Sequence, residues 1–76
     1  MAKAFVLINA ETGSEKSVVE KMKSLKHVKE AYLVFGVYDV IALVEAPSID
    51  VLRNTIHNAM RQVEGIRSIV TMVVIR

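Results

Sequence analysis

Ala31-Tyr32-Leu33-Val34-Phe35-Gly36-Val37-Tyr38-Asp39-Val40-Ile41-Ala42-Leu43-Val44 is the stretch that decides how this chain folds. Two apolar runs, Ala31–Phe35 and Val40–Val44, flank the turn-forming residues Gly36-Val37-Tyr38-Asp39. Strands so close in sequence must pair antiparallel, because a parallel pair needs a crossover of about a dozen residues or more. The stretch therefore predicts a hairpin near the middle of the chain. Its strands are expected over Val28–Phe35 and Tyr38–Ala46, with a short Gly36-Val37 turn between them. It also sets a glycine, an aromatic ring and a carboxylate together on a loop, where binding groups concentrate.

Upstream, Met1–Asn9 contains Ala4-Phe5-Val6-Leu7-Ile8, a continuous apolar run rich in strand formers. Thr12 and Glu15 have the spacing of a capping box, with Gly13 easing the turn before it. Val18, Met22 and Leu25 then recur at helical spacing among lysines and glutamates, which predicts an amphipathic helix ending near Leu25 or Lys26. Downstream, Pro47 stops the third strand and Ser48 can cap a second helix. Leu52, Ile56, Ala59, Met60 and Val63 form the apolar face of that helix, and Gly65 ends it. Ile66–Ile75 reads as the last strand. The order strand, helix, strand, strand, helix, strand is the α+β, ferredoxin-like βαββαβ pattern. It implies a four-stranded antiparallel sheet with two helices on one face.

A sheet covered on one face should alternate apolar and polar residues. These strands do not. Phe5 and Leu7 oppose Ala4, Val6 and Ile8; Val40, Ala42 and Val44 oppose Ile41 and Leu43; Val70, Met72 and Val74 oppose Ile69, Val73 and Ile75. Strands about 4.8 Å apart and roughly 17–20 Å long give a second face of about 350 Å² in projection. An apolar patch of that order is at the upper end of what monomers expose. A second copy of the same sheet is the simplest cover, so the chain is expected to dimerise through that face.

The 76 residues make one domain, 1–76, and include no cysteine. A chain of this length buries only roughly 60% of its unfolded surface. With neither disulfides nor thiolate metal sites available, association with other chains is the remaining source of stability. The formal charge of +2 is too small to argue for nucleic acid. Lys16–Lys29 is basic, but Glu20 and its flanking residues Glu15 and Glu30 make it a solvated helix face. Stacking aromatics for RNA are missing from the third strand, and Phe5 stands alone on the first. No run is long enough for a signal peptide or a membrane span, so a cytoplasmic protein is expected.

Catalytic chemistry is thinly supplied. His27 and His57 have no partner at ligand spacing, and a metal site needs three or four ligands. The serines sit where caps and helix surfaces use them, and neither a nucleophile elbow nor a phosphate loop is present. Glu45 and Asp50 flank Pro47, where a strand end and a first helical turn favour such charges. Nothing calls for a cofactor. Asp39 differs, since it follows the glycine turn and stands at the end of the sheet. It either braces its turn through nearby N–H groups or faces a ligand. Gly36 is expected to supply a positive φ and open backbone donors suited to an anion.

Gly36-Val37-Tyr38-Asp39, between Ala31-Tyr32-Leu33-Val34 and Val40-Ile41-Ala42-Leu43-Val44, resembles the Gly-x-Tyr-Asp hairpin of RAM domains. These are the effector domains of the Lrp/AsnC, or feast/famine, transcription regulators. Glu64-Gly65-Ile66-Arg67 is similar to the segment by which that family enters its last strand. The resemblance covers the whole chain. It implies dimerisation through the sheet faces, further association into an octamer-like ring, and an amino-acid effector bound where dimers meet. Gly36, Val37 and Tyr38 would then offer backbone groups to the effector carboxylate, and Asp39 would face its amino group. Thr71 matches the last threonine of the family's Thr-Glu-Thr stretch, here Ile69-Val70-Thr71, which implies a more apolar pocket and effector.

The helix-turn-helix that usually precedes such a domain does not occur in this sequence. That implies a module acting through a DNA-binding Lrp/AsnC regulator rather than reading DNA itself. Two other readings compete with this one: a small dimeric α+β barrel enzyme, which needs polar groups inside a pocket under the sheet, and a purely structural assembly partner.

Overall fold

The computed structural model describes residues Met1–Arg76. Its elements are β1 (Ala2–Ala10), α1 (Glu15–Ser24), β2 (Val28–Leu33), β3 (Val40–Ala46), α2 (Ile49–Asn54, continued by a π-helical turn over Thr55–Met60) and β4 (Ile66–Val73). The strands form one four-stranded sheet in the order β2-β3-β1-β4. All three pairings are antiparallel. This is the ferredoxin-like βαββαβ architecture expected from the order of elements.

Period-two alternation sorts the strands into two faces. Ala4, Val6, Ile8 and Ala10 of β1 and Val40, Ala42, Val44 and Ala46 of β3 are buried on one face. They pack with Val18, Val19 and Met22 of α1 and with Leu52, Ile56 and Met60 of α2 and its π turn. The small alanines among them let both helices lie close to the sheet.

The opposite face is open. Phe5 pairs with Leu43 and Met72, and Leu7 pairs with Ile41 and Val70. Tyr32 pairs with Ile41 on the same face. Phe5, Val70 and Met72 are 40%, 39% and 50% exposed. Lys3 and Glu45, cross-strand partners 3.5 Å apart, close one end of this apolar field.

Several boundaries differ from the sequence expectation. The hairpin connection is not a two-residue turn: β2 stops at Leu33 and β3 starts at Val40. Val34 and Phe35 are apolar but belong to the loop, and Phe35 is fully exposed. The last strand stops at Val73 rather than Ile75. Thr12 does not cap α1. Ser14 occupies the cap position without a side-chain bond, while Glu15 Oε1 accepts from the Gly13 N–H at 3.0 Å. Ser48 does cap α2, its hydroxyl accepting from the Val51 N–H at 3.2 Å. The π turn, with Arg61 N–H bonded to the Ile56 carbonyl, was not legible in the sequence.

Gly65 has a reason beyond ending the helix. Its φ is +96°, and a Cβ there would lie 2.9 Å from Ser14 Cβ. Its carbonyl accepts from the Glu11 N–H, which ties the entry of β4 to the end of β1.

Candidate functional site

The loop between β2 and β3 closes on a hydrogen bond from the Val34 N–H to the Asp39 carbonyl, 2.9 Å. Asp39 then terminates the β1–β3 ladder. Its N–H donates to the Ile8 carbonyl at 2.9 Å, and its carboxylate Oδ2 accepts from the Ala10 N–H, also at 2.9 Å. The side chain takes the place of the next strand residue, satisfying an N–H that the ladder would otherwise leave open. Asp39 therefore braces its turn, one of the two roles its position suggested. One carboxylate oxygen has no protein partner.

Gly36 does not have the expected positive φ; among glycines that conformation belongs to Gly13 and Gly65. Gly36 is exposed and a Cβ there would meet nothing within 4 Å. Val37 is 86% exposed, while Tyr38 and Asp39 are half-buried.

Val37 shares a shallow depression with Asn9, Arg67 and Ser68. Asn9 Nδ2 donates to Ser68 Oγ at 3.3 Å, and Arg67 Nε lies 3.8 Å from Glu11 Oε2. A guanidinium, an amide and a hydroxyl thus stand beside the tip of the loop. Asn9 and Ser68 escape sequence reasoning because they meet only through the β1–β4 register. Arg67 gave a signal as part of Glu64-Gly65-Ile66-Arg67.

Thr71 lies elsewhere. It pairs with Val6, so it faces the helix layer. From Asp39, the way to Thr71 crosses two strand spacings and runs three residues along the sheet, roughly 14 Å. One chain does not bring Thr71 and the Gly36–Asp39 loop into a single pocket. Thr71 instead lines a cavity of about 160 Å³ between α2 and β4, with Ile49, Leu52, Arg53, Ile56, His57 and Val73. The cavity exists because α2 packs chiefly on β1 and β3 and leaves the helix side of β4 poorly covered.

No cluster of His, Cys, Asp or Glu could hold a metal ion. No helix is long and apolar enough to cross a membrane. His57 lines the cavity on α2, and His27, at φ 75°, sits in the junction before β2.

A family model for the Lrp/AsnC ligand-binding domain matches residues 3–76. This chain belongs to that family. Among solved structures, the Lrp/AsnC domain described here is similar to FFRP-DM1, at 37% identity and a TM-score of 0.93 over 99% of this chain and 100% of that one. It is equally similar to the hypothetical protein PHS023 from Pyrococcus horikoshii, at 37% identity and a TM-score of 0.93 over 100% and 92% of the two chains. E. coli AsnC matches at 29% identity and a TM-score of 0.89 over 99% of this chain but 51% of AsnC. The domain therefore corresponds to about half of that regulator. No curated protein matches the sequence at a significant level.

Proposed function

We propose that this domain, 1–76, is an amino-acid-sensing and assembly module that carries out no catalysis. Effector binding is the family's property; the amino acid and the residues that hold it are the finer reading. Open backbone at Gly36, Val37 and Tyr38 receives the carboxylate, and the unpartnered oxygen of Asp39 receives the ammonium. Thr71 contributes from the cavity of another copy. The separation between Thr71 and the hairpin loop carries this reading: a site that uses both must be built where two copies meet.

The apolar open face supports a homodimer formed sheet to sheet. A face of about 350 Å² in projection has a larger accessible area, the measure by which a standard interface buries roughly 800 Å² per partner. Exposed Val74 extends the contact made by Phe5, Val70 and Met72. Dimers then associate into a larger, octamer-like ring with effectors at the dimer–dimer contacts. Such a module acts in the cytoplasm beside a DNA-binding Lrp/AsnC regulator and does not itself touch nucleic acid. The barrel-enzyme reading loses support beneath β1 and β3, where the space between sheet and helices is filled with Val, Ile, Ala, Leu and Met.

Calorimetry with the twenty amino acids tests the proposal on the wild type and on Asp39→Asn. The asparagine keeps an acceptor for the Ala10 N–H but removes the charge. Binding that weakens by on the order of 2–5 kcal/mol at unchanged oligomeric state is expected. Failure of every free amino acid to bind the wild type at millimolar concentration sinks amino-acid sensing and leaves the assembly role.

A further inference from the structure

At the end of β2 opposite the hairpin loop, the turn that follows α1 faces the flank of α2 turned away from β4. Lys26 and His27 on one side, and Asn54 and Asn58 on the other, border an open depression of about 350 Å³. Two irregular features of the backbone meet there. The Val28 N–H bonds the Leu25 carbonyl at 3.3 Å, closing a turn in which His27 has a φ of 75°. It is the only residue other than glycine with a positive φ. Glycine suits such a turn position best, and histidine holds it at some cost in strain. Across the depression, α2 widens into its π turn over Thr55–Met60. Strained residues and π turns persist most often where function requires them.

The free groups around the depression are chiefly donors. Asn58 Nδ2 donates to Asn54 Oδ1, which leaves Asn54 its amide N–H groups and Asn58 one more. The Thr55 hydroxyl is already bonded to the Val51 carbonyl at 2.8 Å. Lys26 is in none of the chain's ion pairs. The imidazole of half-buried His27 carries an N–H whether neutral or charged. No carboxylate lines the depression. Asp50 borders the adjoining one, which shares Val51 and Asn54, so its charge opposes an anion from one helical turn away.

We infer that the depression between the Lys26-His27 turn and the π turn binds a phosphate group, free or as a small monoester. A phosphomonoester carries about 1.5–2 negative charges at neutral pH and three strong acceptor oxygens. An ammonium, an imidazole and a pair of amides reach it from two elements, and bonds to a charged acceptor are the strong ones. Half-buried Val51 and Ala59 supply an apolar wall for the remainder of a monoester. The module would then answer to a phosphorylated metabolite at one end of the sheet, independently of any amino acid at the other.

Calorimetry at fixed ionic strength with inorganic phosphate, glycerol phosphate and glycerol tests the assignment. Both phosphates should bind with dissociation constants on the order of 1 mM or below, and glycerol should not bind. Tighter binding of glycerol phosphate assigns the site to a monoester, and equal binding assigns it to the free ion. The side-chain amide resonances of Asn54 and Asn58 should move on titration. Lys26→Gln should weaken binding by about fivefold or more. His27→Gly should weaken it by about tenfold, while the melting temperature holds or rises because glycine accepts the positive φ. Asp50→Asn should tighten binding by about twofold.

No binding of either phosphate at roughly 10 mM overturns the inference. Binding that ignores both Lys26→Gln and His27→Gly overturns it as well. So does binding lost with Arg53→Gln but kept with Lys26→Gln, which would move the anion to the other flank of α2. A His27→Gly protein that melts lower and binds like the wild type gives the histidine a role in the turn alone and removes it from the site.

Discussion

Asp39 holds the end of the β1–β3 ladder through its own N–H and through its carboxylate, so removing the side chain has a structural cost whatever it binds. A hydrogen bond to an ionised acceptor contributes about 1.5–3 kcal/mol, and this half-buried one belongs at the low end. Asp39→Ala should lower the melting temperature by several degrees, whereas Asp39→Asn should lower it less. Gly65→Ala is the more damaging change, since a left-handed φ and a close approach to Ser14 coincide there. A cost of roughly 1–3 kcal/mol is expected, read as a melting point lower by about 5–15 °C.

Tyr32 offers a test by pH. Its hydroxyl donates to Glu30 Oε1 at 2.7 Å. That bond, and next the glutamate's negative charge, raise the phenol above its ordinary value. The interaction favours the protonated phenol, so it acts below the ordinary tyrosine range and is lost as pH rises through the raised value. In a Tyr38→Phe background, ultraviolet titration should show Tyr32 ionising late, and Glu30→Ala should bring it back down.

Among the elements, the two helix starts make a controlled pair. Ser48 bonds the Val51 N–H, while Thr12 lies outside α1 and caps nothing. Ser48→Ala should therefore cost about 1 kcal/mol in chemical denaturation, and Thr12→Ala close to nothing. Strand interiors were legible because burial enforces period two: Val40, Ala42 and Val44 are buried while Ile41 and Leu43 are not. Strand ends were not. Val34 and Phe35 look like strand, but beyond Leu33 the β2–β3 ladder ends and only pairing distinguishes a strand from an apolar loop. The hairpin loop could be found from its residue types. The depression of Asn9, Arg67 and Ser68, and the groove of Arg53 and His57, depend on registers and on a helix offset that leave no local sequence signal. Thr71 was picked out by resemblance, but its distance from Gly36–Asp39 emerged only from its pairing with Val6.

At the level of assembly, β4 separates two surfaces by simple alternation. Val70 and Met72 pair with Leu7 and Phe5 on the open face, and Thr71 between them faces the helices. If the open face is the dimer contact, Val70→Lys and Met72→Lys should each break it, since an unpaired ammonium would be buried at a cost of several kcal/mol. Thr71→Lys should leave the dimer intact. Light scattering on the three variants reads this directly, and a wild-type mass near the 8.5 kDa of one chain removes the dimer altogether.

The strand order has a consequence for how the protein is made. β1, first in the chain, lies in the interior of the sheet, and one of its two neighbours is the last strand, with Ala4 opposite Val73. A ribosome adds about 5–20 residues per second, so roughly one to five seconds pass between the end of β3 and the end of β4. During that interval the Phe5–Ile8 segment of the nascent chain has β3 on one edge and bare backbone on the other. Newly made chains are then open to pairing with one another, and the sheet loses that vulnerable edge only when its last strand emerges.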